Sequence, residues 1–592
     1  TSNTFTGNVT VNDLITTANS GTITLNGAAN TFVAAVDFLN TATVLGNGAG
    51  DISTFNGGVA STGNGTYNVQ STIRSSADAL HFGTGVMTLA ADASIDATNN
   101  GASAAGGNIN FGSLTGAFDL AVNAGTGGAI AVNTTTNITD LTLTRATGTT
   151  FTGNVTVNDL ITTANSGTVT LNGAANTFAA QVDFLNTGLV TLGNGGDSST
   201  FANGVTFSAN AASNLGGAIV TSGDVANFGT GGVTLGSDST VDTTNAGGSA
   251  AGANIIFGAG IAGAFDLGLT AGTGGAVTVA TTTNITDLTL TSATSNTFTG
   301  NVTVNDLITT ANSGTITLQG AANTFVAQVD FLNTATVLGD SADDVSTFTG
   351  GLSAGGGGTF ALQGTVNSTD QIINFGVGAA TVNARTTINS VSAGGPGNDV
   401  VFGGTLTATA GGNNDLIITA GADRQGGDIT FTGAAVLNDN DLIVGSAKDV
   451  QSLSTVSAQN IDIRNVNAVF AGSYSAVSNF NVDANTVRVI TVSSTNSNIQ
   501  ANNSIINVAN TSDTLTVRGN NSVVLINTTV GGLSTGNAWR NVNLIHTLPR
   551  GKGRYTVNGM PFGPERARLL ESRFAALSLA SRSLSLNLNN IG

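Results

Sequence analysis

The nine residues Gly394-Gly-Pro-Gly-Asn-Asp-Val-Val-Phe402 follow the pattern Gly-Gly-x-Gly-x-Asp-x-apolar-x, which binds calcium between stacked β-turns. Calcium takes hard oxygen ligands, so Asp399 and nearby carbonyls are the candidate set. Each ion in such a site bridges successive copies of the nonapeptide. Here the second copy, Gly411-Gly-Asn-Asn-Asp415, fits poorly, and a Gly/Asp-rich corner is the competing reading. Asp340, Asp343 and Asp344, or Asp439 and Asp441, could form the paired acids of glycoside cleavage or a calcium cluster. Such catalysis also wants a base. His81 and His546 are the only histidines and stand far apart, and Lys448 is the only lysine before residue 540. Solvated turn acids are therefore the expected reading, with no catalytic residue and no cofactor.

The C-terminal stretch offers a different chemistry, that of an interface. Arg550, Lys552 and Arg554 form a basic loop. From Pro564 the pattern predicts a helix, with Pro and Glu in its first turn, Arg566 and Arg568 on it, and Leu570, Phe574 and Leu577 along one face. Leu584, Leu586 and Leu588 then alternate with polar residues, which predicts a strand. This segment reads either as a cap over the last coil or as a connector. A connector would dock on the first coil of the next molecule, around Phe5, Val9 and Val11.

Charge divides the chain in the same place. Residues 1–539 carry 32 Asp, no Glu and 8 Lys or Arg, a formal charge of −24; residues 540–592 carry 8 Lys or Arg and 2 Glu, a charge of +6. An acidic body excludes nucleic acid as a main partner. Opposite charge at the tail favours head-to-tail encounter. Cysteine is absent, so disulfides and thiolate metal sites are excluded. No apolar run reaches the length of a membrane helix. The first residues already lie inside a repeat and lack the regions of a signal peptide, so the expectation is a mature chain whose export signal is removed or not shown.

The elements that must position these residues repeat. Phe5-Thr-Gly-Asn-Val-Thr-Val-Asn-Asp-Leu14 returns unchanged at 151–160 and 298–307. The array divides into 1–146, 147–293 and a partial 294–350, followed by a diverged stretch 351–538 and the basic cap or connector 539–592. Phe5, Gly7, Val9 and Val11 alternate with polar residues at period two, and Asn-Gly and Gly-Asn pairs punctuate the strands. The pattern predicts an all-β, elongated parallel β-solenoid, wound right-handed, with a short C-terminal helix and strand. About seven coils of about 21 residues would fill each block, and about 28 the whole chain. Asp in place of Glu suits acids that shape turns, and stacked Asn would form amide ladders.

The strands Asn8-Val-Thr-Val-Asn12, Ser20-Gly-Thr-Ile-Thr-Leu-Asn-Gly27 and Leu141-Thr-Leu-Thr144 resemble the repeats of large bacterial surface proteins, the filamentous-haemagglutinin-like adhesins and autotransporter passengers. The resemblance spans about 1–538 and is one of composition. It implies a secreted, extracellular or cell-surface shaft. The expected function is structural: a filament or stalk subunit whose partner is itself, head to tail. The alternative is an adhesin for glycans or surfaces, with 351–538 as its binding part; a carbohydrate-active enzyme ranks behind both.

Overall fold

A computed structural model describes the backbone of residues 2–518 and of the strands Asn521–Ile526, Val530–Thr535, Asn541–His546, Arg554–Val557, Met560–Phe562 and Leu584–Asn587. Side chains are described through residue 502, Val489 excepted, and at Ile506. The helix expected from Pro564 lies outside the described residues, as do Arg566, Arg568, Leu570, Phe574, Leu577 and Leu588. The fold is a parallel β-solenoid of about 24 turns. It divides into two units, Thr1–Thr299 and Gly300–Gly592.

In Thr22–Leu25 the alternation works as read: Ile23 and Leu25 are buried and the threonines face outward. Each turn of the first unit contributes three such strands, one to each of three parallel columns. The first column runs Ser2–Phe5, Thr22–Leu25, Ala42–Leu45, Thr66–Val69, Val86–Leu89, then residues 113–115 and 134–136. The second runs Thr10–Val11, Ala29–Phe32, Ile52–Phe55, Thr72–Ser75, Ala93–Asp96, Leu120–Asn123 and 141–143. The third runs Val36–Asp37, Val59–Ala60, Leu80–His81, 109–111, 130–132 and Gly148–Phe151.

These columns correct the expectation of seven coils per block. Six steps down the first column lead from Ser2–Phe5 to 134–136, and two sides further comes Gly148–Phe151, the second copy of the same sequence. A block thus covers six and two-thirds turns. The second copy stands in the third column. The third copy, Ser295–Phe298, stands in the second: it follows 276–279, 255–257, Ala226–Asn227, Val205–Thr206 and Val182–Asp183. Val182–Asp183 in turn follows Thr162, whose hydroxyl donates to Asp183 O at 3.3 Å. The total falls below 28 turns because corners lengthen: Leu80 pairs with Ile109 and Ala226 with Ile255, each 29 residues on, across the excursions 97–108 and 243–254.

The second unit repeats the plan. One of its columns runs Val329–Asp330, Leu352–Ser353, Ile373–Asn374, Val400–Phe402, Ile429–Phe431 and onto Leu442–Ser452. Near its C-terminal end the additions turn antiparallel. Asn541–His546 pairs with Leu584–Asn587, which places Leu584 and Leu586 on a strand of their own chain, and Arg554–Val557 pairs with Met560–Phe562.

Phenylalanines fill the interior in stacks. Phe32 lies on Phe55 at 4.8 Å, Phe178 on Phe201 at 4.8 Å, and Phe325 on Phe348 at 4.8 Å, the same stack in each copy. Each fully buried ring contributes about 2–3 kcal/mol of transfer free energy. Buried asparagines tie rungs together at the corners. Asn176 Oδ1 accepts from Val155 N at 3.1 Å, and its Nδ2 donates to Gly173 O and Ser199 Oγ; Asn30 and Asn323 repeat the arrangement.

Candidate functional site

The acids singled out in the sequence belong mostly to corners. Asp344 Oδ2 accepts from the backbone N–H of Asp340 at 2.8 Å and of Ser341 at 2.9 Å, closing a turn; Asp343 is exposed. Its counterparts Asp51 and Asp197 accept from Asn47 N and Asn194 N in the same way. Asp439 accepts from Gly411 N at 3.2 Å, whereas Asp441 accepts from Asn460 N and Nδ2 at 3.1 and 2.9 Å. A short Asp with reach to its own backbone suits these turns, and Glu would overshoot.

The nonapeptide loop is organised around an acid outside it. Ser392 N and Gly397 N donate to Asp370 Oδ1 at 3.1 and 2.8 Å, and the Ser392 hydroxyl donates to Oδ2. The Ser392 hydroxyl leads in holding the Asp370 carboxyl below its usual range, with the two backbone donors behind it. Backbone donors converging on a carboxylate make an anion nest, the reverse of a cation site. Asp399 points elsewhere, its Oδ1 accepting Asp428 N at 2.8 Å. Among the described residues no three acids or histidines are grouped closely enough to hold a metal ion. His81 lies on the third column beside Asn110; His546 ends the strand Asn541–His546, of which only the backbone is described.

Register reveals rows that single-residue reading misses. Asp92, Asp119, Asp140 and Asp159 occupy the same place in four successive turns. Asp119 N donates to Asp92 Oδ1 at 3.1 Å, Leu120 pairs with Leu141, and Asp140 pairs with Asp159. Asp238, Asp266 and Asp287 repeat the row in the next copy. Burial, and then the Asp140 charge, push the Asp159 carboxyl above its ordinary value. The signal was present as Asp before Ala93, Leu120, Leu141 and Leu160, but it needed the turn lengths to be aligned. Further along, Asp441, Asn460, Asn479 and Asn496 form the expected amide ladder: Asn479 N and Nδ2 donate to Asn460 Oδ1 at 3.2 and 2.9 Å, and Asn496 Nδ2 donates to Asn479 Oδ1.

The interface residues read at the start of the chain lie on the outermost of the described turns. Ser2–Phe5 and Thr10–Val11 each pair on one side, with Thr22–Leu25 and Ala29–Phe32. Phe5 is 39% exposed and Val11 37%, and Val9 is half-buried. Their counterparts Phe151, Val155 and Val157 are at most 3% exposed.

Stacked parallel turns, corner asparagines and an apolar interior define the class: this is a β-solenoid protein, consistent with β-helix repeat proteins. No family model, curated protein or solved structure matches the chain.

Proposed function

We propose that this chain is a structural protein of the cell surface or extracellular space, a solenoid shaft serving as a stalk or as a subunit of a filament that grows end to end. The observation that carries the reading is the use of its polar side chains. Asn30, Asn176 and Asn323 and the acids Asp51, Asp96, Asp197, Asp242, Asp344 and Asp370 are spent on backbone donors of their own or adjoining turns. A chain that commits its polar groups to holding turns together is built for rigidity and length. Electron microscopy of the purified protein, intact and lacking 540–592, tests it. Single rods or fibres are expected from the intact chain; compact or collapsed particles would overturn the structural role. Fibres that persist unchanged in the truncated chain would remove the tail from assembly.

A second reading, adhesion, has its own support. The excursions 97–108 and 243–254 stand out from the corners with mostly exposed tips, and Asp96 and Asp242 anchor them through Thr98 and Thr244. Binding of the purified chain on a glycan array, lost when both excursions are shortened, would favour it.

A further inference from the structure

Eight Asn-Gly pairs stand among the described residues, at 26–27, 47–48, 56–57, 64–65, 100–101, 172–173, 194–195 and 203–204. Such a pair can lose ammonia without an enzyme. The glycine nitrogen attacks the Asn side-chain carbonyl carbon, a step that needs a yielding backbone, an untied amide and no Cβ in the way. The fold sorts the eight by these needs. Asn56, Asn64 and Asn203 have their amides engaged, with the Ser76 hydroxyl, Thr84 N and Ala179 O. At 26–27 and 172–173 the glycine is buried and packed on the preceding turn, against Gly7 O and Gly153 O. Gly101 N is held by the Thr98 hydroxyl at 3.0 Å. Asn47 and Asn194 remain. Both are exposed, and neither side-chain amide has a hydrogen bond among the described residues. A Cβ on Gly48 would meet nothing within 4 Å, and one on Gly195 only Ser237, at 3.8 Å.

These two residues occupy the same corner in the first two copies. Asn47 N donates to Asp51 Oδ2 at 2.8 Å, and Asn194 N to Asp197 Oδ2 at 2.9 Å. In the third copy that place is taken by Asp340, whose N donates to Asp344 Oδ2 at 2.8 Å. The corner thus keeps its hydrogen bond with a carboxylate where the amide stood. It also varies in length: Gly193-Asn-Gly-Gly-Asp197 is one residue shorter than Gly46-Asn-Gly-Ala-Gly-Asp51.

We propose that Asn47 and Asn194 are sites of spontaneous deamidation, which turns this corner in the first two copies into the acidic form that the third copy encodes. Gly48 N gives its proton to solvent and bonds to Asn47 Cγ; the bond from Cγ to Nδ2 breaks and ammonia leaves. Water then opens the cyclic imide. Opening at Cγ yields Asp, and opening at the main-chain carbonyl yields isoaspartate, with one more carbon in the backbone. A corner that accepts a residue more or less takes up that carbon without moving Ala42–Leu45 or Ile52–Phe55. Each conversion adds one negative charge at neutral pH. The assignment rests on corner geometry and stands apart from the structural role proposed above.

The test holds the full chain in mildly alkaline buffer, folded or in denaturant, and maps it by mass spectrometry over time. In the folded chain the mass gain of amide to acid is expected at least tenfold faster at 47 and 194 than at 26 and 172, and denaturant should erase the difference. Gly48→Ala should slow conversion at 47 alone, with 194 as the internal reference. Equal rates at all four positions in the folded chain would overturn the assignment, as would a difference that survives in denaturant. So would intact Asn47 and Asn194 in the folded chain while the denatured chain converts, or a Gly48→Ala chain that converts at 47 as fast as before.

Discussion

Asn176 satisfies three buried groups at once, the Val155 N–H, the Gly173 carbonyl and the Ser199 hydroxyl. Asn176→Ala should therefore cost about 3 kcal/mol, seen as faster hydrogen exchange at Val155. Asn30→Ala should cost less, about 1 kcal/mol, because its partner Val9 is half-buried where Val155 is buried, and water can replace the bond. Tyr474 makes the opposite case. Its ring is fully buried, its hydroxyl has no hydrogen-bond partner among the described residues, and burial pushes its pKa up. Tyr474→Phe should leave stability unchanged or raise it by up to about 1 kcal/mol in denaturant titration. Asp159 carries a pH dependence. A carboxyl raised in the folded state stabilises fully below its unfolded value, and that stabilisation is lost as pH rises through the folded value. Asp159→Asn should accordingly stabilise the chain at about pH 7 and give no gain at about pH 3, where the acid is protonated in both states. Asp370 runs the other way: its depressed value supplies stability above the ordinary carboxylate range, and the loop 390–399 should loosen as pH falls through it.

Strands here range from Val36–Asp37 to Ser473–Arg518, and one short element is held by a reach across several turns. Gly421–Ala422 and Gln425–Gly426 form a small antiparallel hairpin whose turn residues Asp423 and Arg424 both have positive φ. From this strained turn Arg424 donates to Asn465 Oδ1 at 3.3 Å, Asn485 Oδ1 at 2.6 Å and Asp483 Oδ1 at 2.8 Å. One planar fork thus clips later turns to an earlier one. Arg424→Lys should fail to restore what Arg424→Ala removes, because an ammonium cannot serve that spread of acceptors. Protease nicking between 421 and 426 is the readout, and it should quicken in both variants. The strands themselves were legible: Thr22–Leu25 and its relatives declare themselves by period-two alternation. The hairpin was not, since Gly421 to Gly426 offers no hydrophobic alternation, and its partner acceptors lie 41 to 61 residues away.

At the scale of the molecule, the sequence announces a stack of parallel turns but conceals how many make a block. The 146- and 147-residue spacings invite division by a coil of 21, yet corner excursions such as 97–108 spoil even division. Asp399 was legible as a corner residue; its partner across the rungs, Asp428, was visible only with register in hand. Because each turn contacts chiefly its neighbours, removing one whole block is a clean operation. Deleting residues 148–294 joins Thr147 to Ser295, and the sequence after the junction, Phe298 onward, matches what followed Phe151. The shortened chain should fold, with unchanged exchange protection in turns before residue 130. Deleting only residues 148–157, which removes the strand Gly148–Phe151 and cuts into Thr156–Thr162, should instead unravel neighbouring turns in the same measurement.

A block of six and two-thirds turns has a consequence for whatever touches the outside. Leu39 and Leu185, the same exposed leucine in consecutive copies, look out from different flanks of the prism, like windows on a spiral stair. A bivalent antibody raised against one copy could not bridge to the next along a straight line; it would have to reach around a corner. Duplication has in this way multiplied a motif without ever lining its copies up.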